Sequence, residues 1–326
     1  MQLAFNILGG IVLLAFGGEF LVRGTVAMAR RFGVSTLLIS LTVVGFGTSA
    51  PELVTTVQAS LAGTPEIAIG NIVGSNIANL LLALGTAALI APIVVRSDAL
   101  RRDGGLLVAS VLGFAALSAV TPLSRPVGAL LLAGLAGYLA IALMGERQPK
   151  RAGRSAAASM GEAVGERLPP TPLEGKRVPL LAGAAMAVLG LIAVLGGAGL
   201  LVQGAMGMAQ ALAIPETVIG LSVVAVGTSL PELFTSAFAA WRKQPEVAFG
   251  NAIGSCIYNI LGIGGVAAMV APLSVPARIV AVDNLVMVAA TLATVAFAWT
   301  GKRIARREGV LLLIGYVAYL ALLWPR

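Results

Sequence analysis

Residues 43–53 read VVGFGTSAPEL, and the pattern returns 180 residues later as VVAVGTSLPEL. In both stretches an apolar run is interrupted by Gly, Thr, Ser and Pro and then by a glutamate, Glu52 in the first and Glu232 in the second. At this fixed offset, residues 40–79 and 220–259 agree at 20 of 40 positions without a gap. The chain therefore contains one sequence unit twice, an arrangement typical of proteins built from internal structural repeats.

The composition indicates a membrane protein. Of the 326 residues, 58% are hydrophobic and only 11% are charged, whereas a soluble domain carries about 25% charged residues. The apolar segments run for roughly 17 to 25 residues, which is the length of helix that crosses a ~30 Å hydrocarbon core. Strict alternation of apolar and polar residues is absent, so a transmembrane β-barrel is not expected.

Several classes of chemistry are excluded by the rare residue types. The chain has no histidine and a single cysteine, Cys256. Intrachain disulfides, Cys/His zinc sites and nucleophiles activated by a histidine base are therefore impossible. We expect a protein that is not an enzyme and has no cofactor.

The apolar segments predict ten membrane-spanning helices. The predicted spans are roughly 3–29, 34–62, 66–91, 104–121, 125–144, 178–208, 214–241, 246–271, 281–299 and 308–324. Residues 1–144 then form a first repeat of five helices, with its motif at 40–79, and residues 178–326 form a second, with its motif at 220–259. Residues 145–177 are rich in Pro, Gly, Ser and charged residues and are predicted to be a linker.

The distribution of charge predicts the orientation. Five spans per repeat is an odd number, so the second repeat enters the membrane from the opposite side and the repeats are inverted. With ten spans, 19 of the 22 Lys and Arg residues fall on the face that carries the linker. Since cytoplasmic loops are enriched in Lys and Arg, we expect a multi-pass protein of the plasma or inner membrane with both termini outside and residues 145–177 in the cytoplasm. The net charge of +8 is then a topology signal, and no nucleic-acid partner is expected.

The repeated motif has the chemistry of a cation site. A carboxylate near the bilayer centre costs about 2.5–3.5 kcal/mol on insertion scales, so an intramembrane acid such as Glu52 is expected to be functional. Thr48 and Ser49 precede it by four and three residues and therefore lie on the same face of a helix. The proline before each glutamate has no N–H and so releases a main-chain carbonyl. The corresponding residues of the second copy are Thr228, Ser229 and Glu232.

The following span in each copy adds a second polar stripe at intervals of four residues. Its members are Asn71, Ser75 and Asn79 in the first copy and Asn251, Ser255 and Asn259 in the second. The motif thus offers carboxylate, amide, hydroxyl and carbonyl oxygens, the ligands that hard cations such as Ca²⁺ and Na⁺ prefer. Two glutamates neutralise one Ca²⁺, and competition of Na⁺ for the same oxygens is a physical basis for exchange.

Other acids are interpreted structurally. Glu19 and Arg23 are four residues apart in the first span and are expected to form a local ion pair. Glu66 and Glu246 each follow a proline at a helix start, where an acid complements the helix dipole. Cys256 is expected to be a packing residue.

The strings GFGTSAPELVTTVQASLAGTPEIAIGNIVGSNIANLLL and AVGTSLPELFTSAFAAWRKQPEVAFGNAIGSCIYNILGIGG resemble the two repeat motifs of the calcium/cation antiporter superfamily, specifically the prokaryotic type of the sodium/calcium exchanger family. The resemblance implies a secondary antiporter that exchanges Na⁺ for Ca²⁺ by alternating access, with ions as substrates and a site inside one chain, which leads us to expect a monomer. The ion ligands it implies are Gly45 (carbonyl), Thr48, Ser49, Glu52, Ser75 and Asn79, with Ala225 (carbonyl), Thr228, Ser229, Glu232, Ser255 and Asn259. In such a mechanism the first and sixth spans, through Gly17, Gly18 and Gly24 facing Gly197 and Gly204, would slide over the remaining bundle.

One position departs from part of the family. Asn259 stands where several prokaryotic members and the potassium-dependent exchangers have Asp, which argues against K⁺ co-transport and removes a negative charge. The strings GNIVGSN and GNAIGSC also lack the glutamate of the cation/proton branch. Two alternatives remain open at this point: a Ca²⁺ (cation)/H⁺ antiporter on the same fold and a cation channel. A membrane scaffold without transport would leave the duplicated polar stripes unexplained.

Overall fold

The computed structural model describes residues 2–146, 178–211 and 225–323. Most of the predicted linker at 145–177 and the first part of the predicted span at 214–241 lie outside these residues. We number the helices α1 (Gln2–Phe32), α2 (Thr36–Thr48 and Ala50–Leu61), α3 (Pro65–Ile90), α4 (Ser97–Val120), α5 (Arg125–Glu146), α6 (Leu180–Ala211), α7 (described part Ala225–Thr228 and Leu230–Trp241), α8 (Pro245–Val270), α9 (Ile279–Gly301) and α10 (Arg306–Leu323).

The structure confirms a polytopic membrane protein of the all-α class. Within the described ranges, seven unbroken helices are long and apolar enough to cross a membrane, and α2, bent by 45° between its two parts, makes an eighth. The other two are α7, whose first part is not described, and α10, which carries three charged residues in its first turn. The number of ten crossings therefore stays a prediction.

Helices α1 and α6 pack antiparallel along most of their length. A Cβ atom added at Gly17 would lie 2.9 Å from the carbonyl oxygen of Gly190, and one added at Gly10 would lie 2.8 Å from that of Gly197. Adding 180 to the number of Gly17 and subtracting 180 from that of Gly190 gives the residues of the other contact, Gly197 and Gly10. The two helices are thus related by an approximate two-fold axis, as inverted repeats require.

The pairing of small residues in this interface differs from the prediction. Gly17 contacts α6 at Gly190 rather than Gly197, and a Cβ at Gly18 would meet the ring of Phe238 in α7. The repeat offset identifies equivalent residues, but two antiparallel helices bring residues together whose numbers have a constant sum. The prediction was therefore wrong because it paired residues that are equivalent in the two repeats, and equivalent residues do not contact each other here.

Two short strand pairs also join the repeats. Strand β1 (Ile93–Val94) pairs antiparallel with β2 (Arg303–Ile304). Leu123 and Leu273 form an isolated antiparallel bridge. At the offset of 180 residues they correspond to Arg303 in β2 and Ile93 in β1. Each repeat therefore donates one extended segment to the other at two symmetry-related places.

The hydrophobic core is divided unevenly among the helices. One large cluster draws its residues from α2 to α5 and α7 to α10, and takes only Val22 and Val26 from α1 and none from the described part of α6. Helices α3 and α8 are the most enclosed, with 72% and 78% of their apolar windows buried, against 33% and 28% for α1 and α6. The α1–α6 pair thus packs on the side of a body whose centre is formed by α2, α3, α7 and α8.

Candidate cation-binding site

The repeated motifs produce the same break in α2 and α7. Ser49 has φ −81° and ψ 9° and Ser229 has φ −89° and ψ 5°, so neither continues the preceding helix. A new helical segment starts at the next residue, with the proline in its first two positions, where a missing N–H costs nothing. Glu52 and Glu232 then lie in the first turn of the new segment, where the helix dipole favours a negative charge.

The two breaks lie against each other. The Ser49 hydroxyl donates to Glu232 Oε1 at 2.9 Å. The Ser229 hydroxyl donates to Glu52 Oε1 over a longer distance of 3.4 Å. All four side chains are at most 3% exposed. Each carboxylate is therefore bound by the serine of the other repeat, and both belong to one buried cluster.

Two asparagines fix the glutamate segments in place. Asn71 Nδ2 donates to the carbonyl oxygen of Glu52 at 3.1 Å and to the Thr56 hydroxyl at 2.9 Å. Asn251 Nδ2 makes the same two bonds, to the Glu232 carbonyl at 3.1 Å and to Ser236 at 2.9 Å. In the sequence these asparagines are recognisable only as part of a polar stripe, and their recurrence at the repeat offset indicates a role without showing which one.

The hydroxyl groups of the motif extend the cluster. Thr48 Oγ1 donates to Asn251 Oδ1 at 3.1 Å and lies 3.4 Å from the Ser255 hydroxyl. Ser255 in turn donates to the Gly45 carbonyl at 3.2 Å. In the other half Thr228 Oγ1 lies 3.5 Å from Asn71 Oδ1.

Several buried oxygens of the cluster have no hydrogen-bond partner within the described part of the chain. They are the second carboxylate oxygens of Glu52 and Glu232 and the side-chain amide oxygens of Asn79 and Asn259. Buried polar atoms are almost always satisfied in folded proteins, so such atoms require a physical explanation. Lone pairs of carboxylates and amides that accept no hydrogen bond are available to a hard cation.

Asn79 and Asn259 occupy corresponding places in α3 and α8. Both are fully buried, and each lies in a π-helical segment, Ala78–Ala83 or Tyr258–Ile263. Such segments occur frequently at functional sites because the wider turn redirects a side chain. No hydrogen bond joins either asparagine to the described glutamates.

The remaining predicted ligands are placed as follows. Ser75 is buried in α3, one helical turn before Asn79. Ala225 is the first described residue of α7. No group of three or more His, Cys, Asp or Glu side chains with metal-ligand geometry occurs within the described ranges. The cluster thus has two carboxylates, and its other oxygens are neutral.

The other acids behave largely as predicted. Glu19 forms the expected pair with Arg23, and it also binds Arg242, at the end of α7, through both guanidinium Nε and Nη2. This second partner lies 223 residues away in the chain and was not predicted from the sequence. Glu66 and Glu246 lie in the first turns of α3 and α8.

Comparison with known proteins identifies the family of the chain. A sequence model of the family described as sodium/calcium exchanger protein matches residues 3–144 and 182–324. The chain is 38% identical to CaxA of Alkalimonas amylolytica, covering 98% of this chain and 97% of CaxA. It is 36% identical to the sodium/calcium exchanger MaX1 of Methanosarcina acetivorans, covering 97% and 96%.

A solved structure of the sodium-calcium exchanger NCX_Mj superposes with a TM-score of 0.84 at 32% identity and covers 100% of this chain and 99% of that one. The repeats, the broken helices and these matches assign the chain to a group of membrane antiporters of cations rather than to a class of enzymes. The chain belongs to the sodium/calcium exchanger family.

Proposed function

We propose that the protein exchanges Na⁺ for Ca²⁺ across the membrane by alternating access, with Glu52 and Glu232 as ligands of both ions. The observation that carries the proposal is the reciprocal contact between repeats, in which Ser49 binds Glu232 and Ser229 binds Glu52. One site built from both halves changes its access when the halves exchange conformations, while its ligands stay together.

The charge of the cluster supports Ca²⁺ as one substrate. Two carboxylates neutralise one divalent cation, and no Lys or Arg is hydrogen-bonded or ion-paired to Glu52 or Glu232 in the described part of the chain. Na⁺ ions bound to the same oxygens share that charge less favourably, so Na⁺ and Ca²⁺ compete. The proposed ligands are Glu52, Glu232, Thr48, Ser49, Thr228, Ser229, Ser75, Ser255, Asn79 and Asn259, with the carbonyls of Gly45 and Ala225.

The neutral side chain of Asn259 supports transport that does not depend on K⁺. An aspartate there would bring a third carboxylate, whereas Asn79 and Asn259 give both repeats an amide at this place. The absence of a glutamate from the GNIVGSN and GNAIGSC strings likewise favours Na⁺ over H⁺ as the counter-ion.

The packing supports a moving part made of α1 and α6. These helices contact each other closely at Gly10, Gly17, Gly190 and Gly197, and they share little of the main core. We propose that the pair slides as a unit over the body formed by the other helices. The described cluster comes from one chain, which supports a monomer as the transporting unit. The distribution of Lys and Arg supports an orientation with both termini outside and residues 145–177 in the cytoplasm.

Ion flux into vesicles tests the proposal. The purified protein is reconstituted into liposomes preloaded with Na⁺, with K⁺ or with acidic buffer, and uptake of radioactive Ca²⁺ is measured. We expect uptake only into Na⁺-loaded vesicles. Uptake driven by internal acid without Na⁺ would assign the protein to cation/H⁺ antiport, and uptake that needs no internal counter-ion would indicate a channel.

A further inference from the structure

A groove with a volume of about 690 Å³ lies at the end of the molecule that carries most of the described Lys and Arg residues. It is lined by residues at the start of α4 and just beyond the end of α9, namely Ser97, Asp98, Arg101, Arg102 and Lys302. Its size falls within the range of about 300–1,000 Å³ that is common for small-molecule sites. It lies apart from the cation cluster and plays no part in the proposed exchange.

The aspartates in and next to the groove each form an ion pair with an arginine close by in the sequence. Asp98 forms a two-point ion pair with Arg96, with contacts of 2.7 and 3.2 Å. Asp103, which is fully buried, forms one with the lining residue Arg102, with contacts of 2.8 and 3.0 Å. These pairs leave the lining without an uncompensated negative charge.

Two cations in the lining have no carboxylate partner within the described residues. They are Arg101 and Lys302, and both are exposed. The guanidinium group of Arg101 lies 5.9 Å from the ring centroid of Trp299, which holds it by a cation–π contact. The groove therefore presents two positive charges to whatever enters it.

The walls of the groove are held together by main-chain contacts. Lys302 ends α9 in a left-handed conformation with φ 49°, and its carbonyl accepts the N–H of Val95 at 2.9 Å. The β1–β2 pair continues this contact between the two repeats. The main chain at Lys302 is thus joined to the segment that leads into α4, the helix that carries Arg101.

The surroundings place the groove at the membrane surface. Trp299 is 56% exposed beside it, and tryptophan is enriched where a membrane protein meets the headgroup layer. The opposite end of the molecule has no such charges at the repeat-related positions, where Ala281, Val282 and Pro122 replace Arg101, Arg102 and Lys302. The fold itself therefore does not require these cations.

We propose that this groove binds the phosphate group of an anionic phospholipid, with Arg101 and Lys302 as its ligands. Guanidinium and ammonium groups are the usual partners of phosphate oxygens, and basic pockets between membrane helices on the cytoplasmic side take lipid headgroups. Positive charge on a cytoplasmic face is a general feature of membrane proteins, but it does not account for two cations that line one groove and have no carboxylate partner among the described residues.

Lipid retention by the full-length protein tests the proposal. The wild type and the double variant R101Q/K302Q are purified with phosphatidylglycerol and phosphatidylcholine, and bound lipid is counted by native mass spectrometry. We expect one phosphatidylglycerol retained by the wild type and about 25-fold weaker retention in the variant, because each charge near an anionic headgroup contributes about fivefold. The single variants R101Q and K302Q, each about fivefold weaker, serve if the double variant does not fold.

The matched control is R30Q/R31Q, which removes two exposed charges at the end of α1, outside the groove. It is expected to retain phosphatidylglycerol like the wild type. Equal losses in the two double variants would overturn the proposal, because general surface charge would then account for binding. Equal retention of phosphatidylcholine would overturn it too, and release of the lipid by millimolar inorganic phosphate would identify a free anion as the ligand instead.

Discussion

The two halves of the molecule are nearly identical at the centre and different at the edge. Asn71 and Asn251 bind the glutamate segments of their own repeats with the same pair of distances, 3.1 and 2.9 Å. The ion pair between Glu19 and Arg242 has no counterpart, because glycine and alanine stand at the repeat-related positions 199 and 62. A shared site must present the same oxygens when the halves exchange conformations, whereas outer contacts are free to favour one conformation over the other.

The largest effect is expected from the glutamates themselves. Glu52→Gln and Glu232→Gln each remove one of the two carboxylates that balance Ca²⁺, so each should reduce Na⁺-driven Ca²⁺ uptake to the level of empty liposomes. If the halves are equivalent at the site, the two losses are equally complete. The control is Glu66→Gln, which removes an exposed acid at the start of α3 and should leave uptake unchanged. Full activity in either site variant would remove that glutamate from the ligand set.

The serines give the next effect and test how equal the halves are. Ser49→Ala and Ser229→Ala each remove a hydrogen bond to a carboxylate, an interaction worth roughly 1.5–3 kcal/mol, or about 10- to 100-fold in apparent Ca²⁺ affinity. Because the Ser49–Glu232 distance is 2.9 Å and the Ser229–Glu52 distance is 3.4 Å, we expect the greater loss in Ser49→Ala. Half-saturating Ca²⁺ for uptake is the measurement.

Ser60→Ala is the matched control for the serines, since this buried hydroxyl donates only to the Thr56 carbonyl of its own helix. It should change half-saturating Ca²⁺ by less than the site variants. A larger loss in Ser229→Ala than in Ser49→Ala would contradict the ranking by distance.

The sequence predicted the features that depend on local pattern and on the repeat. The length of the apolar segments predicted the helices, and the Gly-Thr-Ser-x-Pro-Glu string predicted where two of them break. The offset of 180 residues predicted that Glu52 and Glu232 are equivalent. The contacts that depend on how helices pack were not predictable in this way. The role of Asn71 requires the rotation of α3 against α2, and the Glu19–Arg242 pair requires the position of α1 beside α7, which no local spacing encodes.

The pair of amides offers a third test of equivalence. Asn259→Asp adds a carboxylate to the buried cluster, and at the distances within such a site a further charge attracts a cation by about 1 kcal/mol or more, about fivefold in affinity. We expect Na⁺-driven uptake to persist, with half-saturating Na⁺ and Ca²⁺ both lowered. Asn79→Asp, the same change in the other repeat, should shift both values by a similar amount. A large effect at one position and none at the other would break the equivalence of the halves at this level.

The smallest effect is expected at the edge, where the halves differ. Glu19 binds Arg23 within α1 and Arg242 at the end of α7, and the three side chains are partly exposed, at 13%, 40% and 33%. A local pair of this exposure contributes about 0.3–0.5 kcal/mol, and the two-point contact with Arg242 somewhat more. Arg242→Gln should therefore lower the midpoint of thermal unfolding of the purified protein by more than Arg23→Gln does.

The same two variants also distinguish the effects of two contacts on transport. The Glu19–Arg23 pair lies within α1, whereas the Glu19–Arg242 pair joins α1 to the end of α7. If α1 moves against α7 during transport, only the Arg242 contact breaks and reforms in each cycle. Arg242→Gln should then change the maximal rate of Na⁺-driven Ca²⁺ uptake, while Arg23→Gln leaves it as in the wild type and neither variant alters half-saturating Ca²⁺. The Glu19–Arg242 pair is the only ion pair that joins α1 to α7 in the described residues. Equal maximal rates in both variants would therefore show that this contact, which the other repeat lacks, has no influence on the conformational step.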